Sequence, residues 1–327
     1  MGNILVTGAL GQIGSELVPA LRQRHGRERV IATDLKVLPA SGASALAPYD
    51  HLDCTDPHQV HEAVRRYDIS TIYHLAALLS ASAEAVPQLA WSVNMGGLYN
   101  VLEVARGYGC QVFFPSSIGA FGHGTPRDRT PQVTVQRPTT IYGVTKVAGE
   151  LLCDYYASRF SIDTRGLRLP GLISYVAAPG GGTTDYAVEM FYHAVRHGNY
   201  TCFVGPETRL DMAYMPDAIT GMMNLMAVDA ERLRYRNAYN ITAMSVTPED
   251  IAAAIREHIP SFEIDYDIDP VRQAIADSWP RSLDDSAARA DWDWAPRFGL
   301  KAMTQDMLAR LHDKLKPAQR RMRGPDR

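Results

Sequence analysis

The stretch Ile4-Leu5-Val6-Thr7-Gly8-Ala9-Leu10-Gly11-Gln12-Ile13-Gly14 decides the fold. A β-branched run ends in glycines spaced three apart, and an amphipathic helix pattern follows over 12–24. A strand, a tight turn and a helix start together make an anion cradle. The first helical amides point at the anion, and glycine lets the backbone come close. Outward from this unit, Arg29-Val30-Ile31-Ala32-Thr33 reads as a second strand and Thr71-Ile72-Tyr73-His74-Leu75 as another. Gln111-Val112-Phe113-Phe114-Pro115 follows a helix over 92–107, and a sixth strand over 164–169 follows a helix over 142–159. Strand and helix alternating at this spacing predicts an α/β fold with a doubly wound parallel sheet.

The rhythm changes after Pro170. Pro179-Gly180-Gly181-Gly182-Thr183-Thr184 is rich in turn residues, and a helix is expected over 185–197. Ala238-Tyr239-Asn240-Ile241 reads as a strand that rejoins the sheet. Thr247-Pro248-Glu249-Asp250 reads as a helix start, with Thr at the cap, Pro at the first helical position and acids in the first turn. The basic tail over 314–327 holds two prolines and no apolar periodicity, so a frayed end is expected there.

Composition narrows the function. The 327 residues are 46% hydrophobic and 21% charged, ordinary values for a globular chain, and the net charge of −3 gives no reason to expect nucleic acid or an anionic membrane as partner. No apolar run approaches the roughly 18 residues of a membrane span. The start Met1-Gly2-Asn3 leads straight into the first strand without a signal-peptide pattern, and Val6 stands where a myristoylation signal has Ser or Thr. A cytoplasmic protein is expected. Cys54, Cys110, Cys153 and Cys202 stand alone, and His58 and His61 lack a second ligand pair, so no metal is expected.

Three sets of residues carry the chemistry. Gly8, Gly11, Gln12, Ile13 and Gly14 form the cradle. Asp34, at the end of the second strand, suits two ribose hydroxyls and would repel a 2′-phosphate, which favours NAD over NADP. Asp53, after a third strand, either accepts from the adenine amine or is a solvated loop acid. Tyr142 and Lys146 lie four apart, on one face of a helix. A free phenol has a pKa near ~10, and a nearby ammonium with a cationic nicotinamide ring would lower it, making Tyr142 a base for an alcohol proton. Lys146 would also hold the nicotinamide ribose. Ser116-Ser117 ends the fifth strand at the ligand-binding edge of the sheet, where Ser117 would orient the substrate oxygen. Asn94, in Ser92-Val93-Asn94-Met95-Gly96, either steadies Lys146 or caps a helix.

With Leu75-Ala76-Ala77 and Arg168-Leu169-Pro170-Gly171, these motifs resemble the extended short-chain dehydrogenase/reductase family over nearly the whole chain. The resemblance implies a Rossmann domain over 1–173 and 213–245, and a smaller discontinuous α/β substrate domain over 174–212 and 246–313. It also implies bound NAD held in part by Leu75, Ala76, Ala77, Pro170 and Leu172. A homodimer through the helices near Asn94 and Tyr142 is implied as well; the stripe Leu98, Val101, Leu102 and Ala105 suits either that contact or core packing.

The family includes epimerases, dehydratases and short-chain L-threonine dehydrogenases, so the fold alone does not fix the substrate. Dehydratases usually carry Thr-Asp-Glu where this chain has Ser116-Ser117-Ile118. Leu79-Ser80-Ala81-Ser82-Ala83-Glu84, the segment over 114–122, Gly182-Thr183-Thr184-Asp185-Tyr186 and Asp277-Ser278-Trp279-Pro280-Arg281 resemble the threonine dehydrogenases. That likeness implies a small-molecule substrate, L-threonine, oxidised at its 3-hydroxyl to L-2-amino-3-oxobutanoate in threonine catabolism. Ser80, Ser117, Tyr142, Gly182, Thr183, Thr184 and Trp279 would surround it, with free loop amides facing its carboxylate. Local alternatives stand beside these roles: Thr183-Thr184 as a helix cap, Ser80 as a loop hydroxyl, Trp279 as core. A nucleotide-sugar 4-epimerase that retains its NAD is the rival activity, and a non-catalytic NAD-binding regulator the rival class.

Overall fold

The computed structural model describes residues 2–178 and 180–322. Its strands are β1 (Asn3–Thr7), β2 (Val30–Asp34), β3 (Tyr49–His51), β4 (Ile69–His74), β5 (Gln111–Ser117) and β6 (Thr164–Leu169). These are followed by β7 (Gly171–Ile173), β8 (Asn199–Cys202), β9 (Leu210–Tyr214), β10 (Tyr239–Asn240), β11 (Met244–Val246) and β12 (Glu263–Tyr266). Seven of them form a parallel sheet in the order β10-β6-β5-β4-β1-β2-β3. The order reverses between β1 and β4, and a crevice opens there at the carboxyl ends of the strands.

Both faces of the sheet are covered, which is why its strands read as continuous apolar runs. One face packs against helices Gly14–His25 and Met215–Ala227 through Leu17, Leu21, Met222 and Leu225. The other packs against Pro57–Arg66, Gly97–Tyr108 and Ile141–Phe160. Leu98, Val101, Leu102 and Ala105 are fully buried in that second core. The stripe is therefore internal packing and not a contact face.

A third core holds β7, β8, β9 and β11 against helices Tyr186–His197, Pro248–Arg256 and Leu300–Met322. The expected substrate segment over 246–313 divides between cores. Helix Ser286–Trp292 and Trp294 pack with Tyr239 and Met215 beneath the large sheet, whereas Met303, Met307 and Leu311 pack in the third core.

Several element boundaries move. The helix expected from residue 92 opens with a π-helical turn, Ser92–Gly96, before Gly97–Tyr108. The tail expected to fray from Lys314 is helical to Met322. Lys314 Nζ donates to the Tyr175 and Val176 carbonyls at 2.8 and 2.7 Å, and Leu315 is buried. Pro179 and residues 323–327, part of the turn-rich segment and of that tail, lie outside the described residues. The cap at Thr247 is a full capping box, with Asp250 returning the hydrogen bond. No described helix is long and apolar enough to cross a membrane. All four cysteines are reduced and buried, and burial pushes Cys54, Cys110 and Cys202 up to about 11 and Cys153 higher still.

Candidate active site

The glycine turn closes the carboxyl end of β1. Gly8 adopts φ +66°, and a Cβ there would stand 2.8 Å from the Ala76 amide, so both conformation and space select glycine. Gly11 N donates back to the Gly8 carbonyl at 3.1 Å, and Gln12 Nε2 ties the turn to the Leu172 carbonyl at 3.4 Å. The 12-residue helix Gly14–His25 then begins with its positive end at the crevice. Asp34 stands across the turn. Its Oδ2 accepts from Leu10 N at 3.0 Å and its Oδ1 from Lys36 N at 3.1 Å, which fixes the carboxylate and leaves lone pairs on each oxygen. Asp53 Oδ1 accepts from the Thr55 amide and hydroxyl, making a local turn at the wall of the crevice.

Two cavities share Gly8, Gly11, Leu75 and Ala77, and together form one elongated groove. The first, about 300 Å³, is walled by Asp34, Asp53, Ala76, Leu52, Leu78 and Val93. The second, about 200 Å³, brings Gln12, Ile13, Gly14, Pro170 and Leu172 together with Ser117, Tyr142 and Lys146. Ser80, Gly182, Thr183, Thr184 and Trp279 close its far end. An acid beside a mainly apolar chamber, a helix amino end in the middle and a second chamber holding Ser117, Tyr142 and Lys146 fit the adenosine, pyrophosphate and nicotinamide parts of a dinucleotide. Of the residues singled out in the sequence, Asn94 alone lines neither cavity.

Helix Ile141–Phe160 positions the reactive pair. Thr140 caps it by accepting from Gly143 N at 3.0 Å, and a Cβ on Gly143 would fall 2.2 Å from the Gly119 carbonyl. That close approach sets the helix start against the end of β5, placing Tyr142 beside Ser117. Lys146 Nζ donates to the Pro115 carbonyl at 2.7 Å and lies 5.4 Å from the centre of the Tyr142 ring. Burial lowers Lys146 to about 8, against the opposing charge of Glu150. Burial also pushes Tyr142 up, against a hydrogen bond from Ser117. In the protein alone the group that opposes the burial of Tyr142 is thus Ser117, not the ammonium of Lys146.

Asn94 caps no helix and makes no direct hydrogen bond to Lys146. From within the π turn it accepts from Leu78 N at 2.8 Å, and donates to the Leu78 carbonyl and to Thr145 Oγ1 at 3.2 Å each. It therefore pins the loop after β4 to the residue preceding Lys146. Behind the reactive strand end lies a network that the sequence reading missed. Ser116 donates to Glu150, which also receives Gln136 and both Nε and Nη2 of Arg168. The pair is buried on both sides, and only the i,i+4 step from Lys146 to Glu150 hinted at it.

At the far end, Ser80 and Thr183 meet across 103 residues, hydroxyl to hydroxyl at 3.0 Å, and Thr183 N donates to Ser80 Oγ at 3.1 Å. Two of the three glycine amides expected to be free are not. Gly181 N and Gly182 N both donate to Asp185 Oδ2 at 2.7 Å. Thr183-Thr184 do not cap the next helix, because Asp185 occupies the cap position and turns its side chain back into the loop. Trp279 is 4% exposed, at once part of the third core and a wall of the cleft.

Residues 4–242 match the NAD dependent epimerase/dehydratase family. An uncharacterised epimerase/dehydratase of Staphylococcus saprophyticus is 53% identical over 316 residues, covering 97% of this chain and 99% of that protein. The structure of an L-threonine dehydrogenase from Clostridium difficile superposes with a TM-score of 0.93 at 52% identity, over 96% of this chain and 98% of that one. A GalE-like L-threonine dehydrogenase from Cupriavidus necator, in its holo form, superposes at 0.91 with 51% identity, over 94% and 99%. The glycine turn, the acid at the end of β2 and the Tyr142–Lys146 helix, set in this sheet order, agree with those likenesses: the chain belongs to the NAD-dependent epimerase/dehydratase family, of the extended short-chain type, and is an NAD-dependent oxidoreductase.

Proposed function

We propose that this protein oxidises the 3-hydroxyl of L-threonine to L-2-amino-3-oxobutanoate with NAD as acceptor. The observation that carries the reading is the small chamber in which the hydroxyls of Ser80 and Thr183, with Trp279, close beside Ser117 and Tyr142. It suits a compact amino acid, and about half of the residues are shared with proteins named L-threonine dehydrogenases.

In this reading Asp34 holds the adenosine ribose and disfavours a 2′-phosphate, while the Gly8–Gly14 turn and the helix amides take the pyrophosphate. Asp53 faces the adenine, and Leu75, Ala76, Ala77, Pro170 and Leu172 line the rest of the dinucleotide path. Bound NAD supplies the hydride acceptor and a positive ring beside the catalytic pair. Ser117 donates to the substrate oxygen and orients it, and Tyr142 takes the hydroxyl proton as the C3 hydrogen departs. Lys146, held at the Pro115 carbonyl, contributes charge against the phenolate and a donor toward the nicotinamide ribose. Asn94 acts one step back, by fixing the helix at Thr145. The hydroxyls of Ser80, Thr183 and Thr184 hold the substrate carboxylate beside Gly182, and Trp279 excludes water.

We place the protein in the cytoplasm on the strength of four isolated thiols. We assign it a homodimer through exposed Tyr99, on the helix that carries the buried stripe, and Val144, Leu151 and Tyr155, on helix Ile141–Phe160. The test is NADH formation with L-threonine against UDP-glucose, UDP-galactose, L-serine and D-threonine. Reduction that depends on L-threonine and NAD is expected. Silence with threonine and interconversion of a UDP-sugar would overturn the substrate assignment and leave the fold intact.

A further inference from the structure

Asp185 took no part in the chemistry read from the sequence, yet it lines the same chamber as Ser117, Tyr142 and Trp279. Its carboxylate is only 6% exposed at the residue level and is held asymmetrically. Oδ2 accepts from Gly181 N and Gly182 N, both at 2.7 Å, and Oδ1 accepts no hydrogen bond from any described residue. Burial pushes its carboxyl up, against the two glycine amides; Glu189 adds to the rise, and Arg272, which opposes it, is itself paired with Asp269 and stacked 4.2 Å above the Phe203 ring. The loop thus turns an acceptor, not a row of donors, toward the substrate. One oxygen of this carboxylate is pinned by two amides, and the other keeps its lone pairs for a partner in the chamber that Asp185 lines.

We propose that Asp185 holds the ammonium group of the amino-acid substrate and so sets the preference for a 2-amino-3-hydroxy acid over a plain 3-hydroxy acid. The inference rests on the reading of the site as an amino-acid alcohol dehydrogenase. The ammonium on C2 adjoins the carbon that carries the hydroxyl, so its partner must face the Ser117–Tyr142 pair, and Asp185 lines that chamber. The pinned Oδ2 fixes the carboxylate in advance, and Oδ1 is left to make a charge-assisted hydrogen bond. The substrate carboxylate is then left to the Ser80, Thr183 and Thr184 hydroxyls of the same end of the chamber.

The test is steady-state kinetics of the full chain with NAD, using L-threonine and (R)-3-hydroxybutanoate, for the unaltered protein and for Asp185→Asn. In the variant the amide oxygen still accepts from Gly181 and Gly182, while the amide nitrogen replaces the free acceptor with a donor. Its NAD affinity, read by fluorescence titration, reports folding. The ratio of kcat/KM for L-threonine over hydroxybutanoate is expected to fall about ten- to a hundredfold, chiefly through KM. An unchanged ratio, including an equal loss on both substrates, makes Asp185 a loop tie and overturns the proposal. As a measurement independent of the variant, L-2-aminobutanoate should inhibit the unaltered protein at least about tenfold more tightly than butanoate. Equal inhibition overturns the proposal too. An unaltered protein inert toward L-threonine is a different result: it removes the dehydrogenase reading and this inference with it.

Discussion

The two ends of the groove are built by different means. The nucleotide end is made of backbone and neighbours in sequence: one turn, one helix amino end and one acid at a strand terminus, with Asp34 hydrogen-bonded to Leu10 within the same βα unit. The substrate end is made of side chains carried there from afar, with Ser80 bonded to Thr183 across 103 residues and Trp279 arriving from a third segment. The first kind of site is specified by local conformational need. The second exists only once the chain has packed. The proposed catalytic residues, Ser117, Tyr142 and Lys146, sit where the two meet.

The comparison can be broken at that junction first. Tyr142→Phe removes the proton acceptor, and kcat should fall by about 10²–10⁴-fold while NAD affinity by fluorescence titration stays near that of the unaltered protein. Turnover that survives would take Tyr142 out of the mechanism. The nucleotide end is probed by Asp34→Gly, which removes the fixed carboxylate proposed to read the ribose. The NADP-to-NAD ratio of kcat/KM should rise about ten- to a hundredfold, and an unmoved ratio would assign ribose reading to another group.

The smallest expected effect sharpens the contrast from the substrate end. Asp211, on β9, is fully buried and accepts from Thr242 Oγ1 at 2.6 Å and Leu283 N at 2.7 Å, just beyond the segment that carries Trp279. Burial pushes it up to about 8. A carboxyl raised in the folded state contributes stability that is present at acid pH and lost as pH rises through the folded value. The melting temperature of the unaltered protein should therefore decline from mildly acidic to mildly alkaline pH. Asp211→Asn, whose amide oxygen accepts from Leu283 N while its nitrogen donates to the Thr242 hydroxyl, should show a flatter profile; an identical slope in the two proteins would remove Asp211 as its source.

Legibility follows the same divide. The strand over 164–169 and the reactive helix could be read from their own residues, because parallel strands and amphipathic helices write their burial as a period in sequence. The turn at Gly8 could be read because a backbone that comes so close to Ala76 admits no side chain. The glycine loop before Tyr186 misled, since a run of glycines signals exposed amides but does not show that Asp185, a few positions on, folds back to take them. Asn94 misled in a similar way. Its residue type suits a cap, but its actual partners, Leu78 and Thr145, lie on elements that only tertiary packing brings near. The Glu150–Arg168 pair was invisible because two charges buried in a core break the polarity rule on which sequence reading depends.

The buried thiols carry a practical consequence. With all four cysteines shielded and their ionisation suppressed, the native protein should be nearly inert to maleimides and iodoacetamide. A single cysteine introduced on an exposed surface, at Val135 or Ile268 for instance, would then be the one labelling position without any removal of native residues. A pair of such positions, one near each end of the groove, turns the folded chain into its own ruler for following the opening and closing of the cleft by fluorescence energy transfer.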